Sequence, residues 1–203
     1  MSRIIRVTLA VAAAILWETT MASGAAQLSP FMVTKGWTTQ PVGHHDFCAT
    51  HRAECSVRSA AESRVRLTPE RWNQLVDVNN LVNTTIHAET DEDLYGRAEF
   101  WTYPVTAGDC EDLVLLKRRD LISEGWPVNA LLITVVKQRN GDGHAVLTVL
   151  TDRGDLVLDN LNPRVLVWND TDYTYIKRQS EFDTGSWVAV HDGRAVEVGS
   201  LRN

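Results

Sequence analysis

The sequence predicts an α+β fold built as a single domain, on three observations. A length of 203 residues suits one hydrophobic core better than two. A helix-patterned, strongly apolar segment runs from about Cys110 to Glu124. Strand-like runs then follow one another with turn signals between them, so helix comes first and an antiparallel sheet after.

Before the fold comes a leader. Arg3 and Arg6 precede an apolar run of 11 residues, Val7 to Trp17, and small residues follow from Ala22 to Ala26. This is the pattern of a secretory signal peptide cleaved before Gln27. The competing reading is an uncleaved membrane anchor, but a span needs about 20 apolar residues. The expectation is therefore a signal peptide at 1–26, a domain at 27–203, a periplasmic or secreted location, and no stable membrane insertion after cleavage.

Residues 27–66 show little periodicity and read as loops and short extended pieces wrapping the core. A helix then starts cleanly. Thr68 is a good N-cap, Pro69 fits the first helical position, and Trp72, Leu75, Val76, Asn79 and Val82 follow at helical spacing. Asn79 interrupts the apolar stripe and is expected to hydrogen-bond nearby backbone. Glu89 to Asp93 is an acidic run, read as a solvated loop or face. Tyr95 to Pro104 is rich in aromatics and leads into Gly108 and Asp109.

The segment from Cys110 is apolar all round, with Leu113, Val114, Leu115, Leu116, Leu121 and Ile122, which marks a largely buried helix. Gly125 is placed to end it and Pro127 bars its continuation. Strands are expected at Val128 to Lys137, His144 to Thr151, Asp155 to Asn160, Tyr173 to Arg178 and Trp187 to His191. Asn140-Gly141 signals the first turn and Gly154 the second.

Composition narrows the function. The formal net charge is −6, and no run of Lys and Arg forms a stripe, which argues against a nucleic-acid partner. Removing residues 1–26 takes two Arg and one Glu from 20 basic and 26 acidic residues, leaving −7. An acidic surface favours solubility and disfavours anionic lipid.

Three cysteines in an exported chain suggest one bridge and one free thiol. Cys48 and Cys55 lie close together, and an oxidising compartment favours a disulfide between them. Zinc is the competing reading, with His44, His45 and His51 nearby; two further free thiols are the third. Cys110 stands apart, at the predicted start of the apolar helix. A helix N-terminus stabilises a thiolate through its free N–H groups and dipole. Asp109, Glu111 and Asp112 work against this, since carboxylates aimed at a thiol raise its pKa. They must point away, be paired, or bind a cation. His144 is the candidate base and Asp159 the candidate orienting group. An even loop between their strands puts both side chains on one face. Two registers are open: a two-residue loop at Thr151-Asp152 sets them directly opposite, and a four-residue loop from Thr151 to Gly154 sets them diagonally.

The strings GDCEDLVLLKRRDLISEGWP and GHAVLTVLTDRGDLVLDNL resemble those of the bacterial transglutaminase-like cysteine peptidases, a family related to the periplasmic LapG-type adhesin proteases. Three motif parts stand in order: Gly108 to Asp112, Gly143 to Ala145, and Leu158 to Asn160. Phe47-Cys48, the Trp72 to Asn83 helix and the Tyr95 to Pro104 stretch extend the likeness over nearly the whole domain. The resemblance implies a papain-like and transglutaminase-like fold with nucleophile Cys110, base His144 and third member Asp159. It also implies a calcium site at Asp109 and Glu111, extending to Asp112. The same carboxylates could instead cap the helix or pair with Lys117 or Arg118. No cofactor beyond calcium is expected.

The leading expectation is thus an exported cysteine hydrolase that cleaves a peptide amide in a protein or peptide substrate through an acyl-enzyme. One alternative passes the acyl group to an amine, as a transglutaminase does. The other is a catalytically silent binding module responsive to calcium.

Overall fold

The computed structural model describes residues 28–60 and 64–194. The predicted signal peptide lies outside them. In chain order the elements are β1 (Val33–Thr38), α1 (Val42–Thr50), α2 (Pro69–Thr85), β2 (His87–Ala88), α3 (Asp91–Tyr95), β3 (Ala107–Gly108), α4 (Cys110–Ser123), β4 (Leu131–Lys137), β5 (Gly143–Thr151), β6 (Gly154–Leu158), β7 (Leu166–Val167), β8 (Thr174–Gln179) and β9 (Trp187–His191).

Seven strands form one antiparallel sheet in the order β1-β9-β8-β4-β5-β6-β7. The most apolar strands, β4 and β5, lie inside it, because both of their faces are covered. Alternation divides the core in two. Ala145, Leu147 and Val149 of β5 join the cluster that contains Leu113, Leu116 and Leu121 of α4 and Leu75, Val78 and Val82 of α2. Val146 points the other way, into a smaller cluster with Val136, Val157, Trp168 and Tyr175. The buried hydroxyls of Thr134 and Thr148 satisfy each other across β4 and β5 at 2.7 Å.

The α2 start follows the sequence reading. The Thr68 side chain accepts from the Arg71 N–H, with Pro69 in the first turn. Asn79 is fully buried, and its Nδ2 donates to the Pro163 carbonyl, a structural role. Leu113, Val114, Leu115, Leu116 and Leu121 are all buried, so α4 is an interior helix. It stops at Gly125, whose φ of +87° suits glycine.

Three local expectations are corrected. Residues 27–66 hold real elements, because β1 pairs with β9 and α1 buries Gly43, His44 and Phe47 against the body. Both depend on long-range partners that local periodicity does not show. The acidic run is not a solvated loop throughout: Thr90 caps α3, and Asp91 is 1% exposed. The first predicted strand begins with a short 3-10 turn at Val128–Ala130, so β4 starts at Leu131. No helix among the described residues is long and apolar enough to cross a membrane.

Candidate active site

Cys110 is the first residue of α4, placed there by the two-residue pairing of β3 with β2 just before it. Gly108 is required at that junction, since a Cβ would come within 2.9 Å of Pro104 Cβ and Asp112 Cβ. His144 is the second residue of β5, opposite Val136 on β4. Asp159 follows the last residue of β6.

The β5–β6 ladder pairs Leu150 with Asp155 and Thr151 with Gly154, leaving Asp152 and Arg153 as the turn. This is the diagonal register of the two considered. It joins His144 Nε2 to Asp159 Oδ1 at 2.8 Å, with both side chains 3% exposed. Asp159 also accepts the Leu161 N–H at 3.0 Å and the Tyr173 hydroxyl at 2.5 Å. Despite burial, which raises it, the hydrogen bonds from His144 and Tyr173 hold its carboxyl below the usual range. An ionised Asp159 only accepts, so the Nε2 proton belongs to His144 and Nδ1 is left as an acceptor.

Cys110 and His144 line one cleft of about 490 Å³, together with Pro41, Glu99, Trp101, Val135 and Lys177. The structure thus sets Cys110 and His144 on one cleft and Asp159 against His144, from the start of α4, the start of β5 and the residue after β6. Cys110 is the free cysteine of the described residues, and Cys48 and Cys55 are bonded to each other with Cα atoms 5.6 Å apart. Of the three histidines in the zinc reading, His44 lies against the bridge, while His45 pairs with exposed Asp46 and His51 stacks on Phe47. His44 is buried, accepts the Trp187 indole N–H and is pushed down to about 4 by burial and by Arg118.

The carboxylates around Cys110 do not point away. The Cys110 thiol donates to Glu111 Oε2 at 3.0 Å. Burial first, then Glu111, raise the thiol well above its ordinary range, while the Ala145 N–H opposes them. Burial and Asp109 push Glu111 up to about 9, and burial and Asp91 push Asp109 up to about 6. These are the signs of a buried acidic cluster lacking positive charge.

Helix capping and pairing with basic groups offset these carboxyls only in part. Asp109 occupies the N-cap position of α4 without a well-formed cap hydrogen bond, and the nearby Asp112 N–H lowers its carboxyl less than burial and Asp91 raise it. Arg118 lies 3.7 Å from Glu54 and donates to the Leu131 carbonyl. Lys117 Nζ is buried without a hydrogen-bond partner, on the Asp159 side of the helix, and burial lowers it to about 7.

Carboxylate oxygens of Asp91, Asp109 and Glu111 lie within 4.8 Å of one another. Asp91 Oδ1 and Asp109 Oδ1 are both buried and unpartnered. This donor set fits a hard cation such as calcium, which takes oxygen ligands. Asp112 stands outside that trio. Its Oδ1 accepts the Thr102 N–H at 2.7 Å, and its Oδ2 is buried and unpartnered. Sequence reasoning missed Asp91, because its burial depends on the Phe100 N–H donating to its Oδ2 nine residues on. Tyr173 was missed as well; its position before a strand carries no local mark.

Residues 34–195 match the model of the bacterial transglutaminase-like cysteine proteinases. Among solved structures, EGTA-treated LapG of Legionella pneumophila is 27% identical, with a TM-score of 0.50, over 63% of this chain and 74% of that one. A second structure of Legionella pneumophila LapG is 26% identical, with a TM-score of 0.50, over 63% of this chain and 72% of that one. The calcium-bound form is 24% identical, with a TM-score of 0.51, over 80% and 87%, and bears on the fold alone. No match is found among curated proteins. The family match covers most of the chain, and its helix-plus-antiparallel-sheet architecture agrees with that of the LapG structures. The chain therefore belongs to the bacterial transglutaminase-like cysteine proteinase family and is a cysteine peptidase of transglutaminase-like fold.

Proposed function

We propose that this peptidase works outside the cytoplasm and cleaves a peptide amide through an acyl-enzyme on Cys110, with His144 as base and acid and Asp159 as the group that orients it. The observation that carries the reading is the buried 2.8 Å contact between His144 and Asp159, made by a histidine that shares the cleft with Cys110.

Asp159 accepts the His144 Nε2–H, which leaves Nδ1 to take the thiol proton. The Cys110 thiolate attacks the substrate carbonyl carbon. Free N–H groups in the first turn of α4 suit the developing oxyanion. His144 returns the proton to the leaving amine as the C–N bond breaks. Water then attacks the thioester, gives a proton to His144, and the acid product leaves as the thiol re-forms.

Asp91, Asp109 and Glu111 would hold a calcium ion, which supplies positive charge to carboxylates that otherwise disfavour the thiolate. LapG of Legionella pneumophila is described in calcium-bound and EGTA-treated forms. Export rests on the Arg3 to Ala26 leader pattern, and the Cys48–Cys55 bridge suits an oxidising compartment.

The test is the rate of Cys110 alkylation by iodoacetamide against pH, with calcium or EGTA, in wild type, His144→Ala and Asp159→Ala. Fast alkylation below pH ~8.5 that needs His144 supports the reading. Ordinary thiol behaviour in all three proteins with calcium present would refute it and favour a calcium-responsive binding module. Product masses from a cleaved peptide, with and without added amine, separate hydrolysis from acyl transfer.

A further inference from the structure

We propose that Tyr173 is a positioning residue of this site: its hydroxyl fixes the Asp159 carboxylate, and its ring packs beside the His144 imidazole. The inference rests on the triad reading above and adds to it a member contributed by another segment of the chain.

A carboxylate turns easily about its last bond, because that torsion is broad. Asp159 Oδ1 takes two donors, His144 Nε2 and the Leu161 N–H. Both act on the same oxygen, so they leave rotation about that oxygen weakly restrained. Tyr173 holds the other oxygen at 2.5 Å. With both oxygens engaged, the face that Asp159 offers to the imidazole is set. The Tyr173 ring also lies 5.5 Å from the His144 ring, tilted by 52°. Tyr173 and Asp159 together line a cavity of about 240 Å³, with Arg164, Asp170 and Asp172 on its walls.

Tyr173 is held in turn. The Arg194 guanidinium donates to the Tyr173 carbonyl and, at 3.0 Å, to the Trp168 carbonyl. Thr171 and Tyr175 join their hydroxyls at 3.0 Å on either side of it. The hydroxyl is therefore delivered by a braced segment. The other ionisable groups facing Asp159 are His144 on β5, Lys117 on α4 and Tyr175 on β8. Of these, only His144 makes a direct hydrogen bond to the carboxylate.

Tyr173→Phe removes the hydroxyl and keeps the ring, and Tyr173→Leu removes both. Each is compared with wild type, His144→Ala, Asp159→Asn and the double variant Tyr173→Phe/Asp159→Asn, with excess calcium. Two quantities are read: the iodoacetamide alkylation rate of Cys110, and the ¹⁵N-edited proton resonance of His144 Nε2–H. Loss of a hydrogen bond to a charged group should slow alkylation by about ten- to a hundredfold in Tyr173→Phe. It should also move the His144 resonance upfield. In the Asp159→Asn background the same change should do nothing further, as expected of a group acting through Asp159. Tyr173→Leu should exchange the Nε2 proton with solvent faster than Tyr173→Phe does. An unchanged resonance in Tyr173→Phe, or losses that multiply in the double variant, overturns the proposal. If wild type and His144→Ala alkylate alike, the triad reading fails instead, and the resonance decides for Tyr173 by itself.

Discussion

Raising the pH from 5 to 8 should destabilise the protein far more in EGTA than in calcium. The cause lies in the buried carboxyls beside Cys110. Glu111 is pushed from an ordinary value of 4.5 to about 9, so across this range the unfolded chain gives up a proton that the folded chain keeps. The native state binds more protons, and its stability falls as pH rises from the unfolded value toward the folded one. Each pH unit is worth about 1.4 kcal/mol per proton, so three units give about 4 kcal/mol at most. Coupling to Asp109 spreads the titration, and about 2–4 kcal/mol is the working figure. For a domain of this size that is on the order of 5–15 °C in Tm. Asp112, raised to about 7 by burial, adds in the same direction. His44, lowered to about 4, and Lys117, lowered to about 7, run the other way, because the unfolded chain binds their protons more readily. Both lie outside the acidic trio, so they act alike with and without calcium. The assay is scanning calorimetry at pH 5 and 8 in EGTA and in excess calcium. The stabilisation by calcium should grow with pH. If it is the same at both pH values, the carboxyls are not the proton-linked ligands.

Asp91→Asn should weaken the calcium-dependent rise in Tm about tenfold or more in calcium concentration, since a carboxylate ligand becomes neutral. Asp112→Asn should weaken it less, because Asp112 already serves the Thr102 N–H; calcium titrations of both variants would show a reversed order if Asp112 were the ligand. Replacing Cys48 and Cys55 together by Ser should cost about 2–3 kcal/mol in urea unfolding, the chain-entropy value for so short a loop, and should leave the calcium response in place. Gly43→Ala puts a Cβ 2.3 Å from Trp101 Cδ1. It should cost about 1–3 kcal/mol by overpacking, and a change in Trp101 fluorescence should accompany the loss.

Elements whose signals are local were legible without a structure. Thr68-Pro69 announced α2 through a cap and a fixed φ, and the apolar run after Cys110 announced a buried helix. Gly154 and the alternation of β5 and β6 announced a hairpin that sets His144 and Asp159 on one face. The motif parts around Cys110, His144 and Asp159 were legible as well, because each is a short string. Their spacing left the register open between two choices, and pairing of Leu150 with Asp155 decided it.

Features that depend on distant partners emerge only in the folded chain. β1 is a strand because β9 lies beside it, and α1 is a helix whose buried face is a glycine, a histidine and a phenylalanine rather than an apolar stripe. Asp91 looked like one solvated acid among several until the Phe100 backbone turned it inward toward Asp109 and Glu111. Tyr173 reaches Asp159 across 13 intervening residues, β7 among them, that no periodicity measures. Local pattern reports which way a residue faces within its own element, whereas burial of a charge or a hydroxyl is set by what the rest of the chain packs over it.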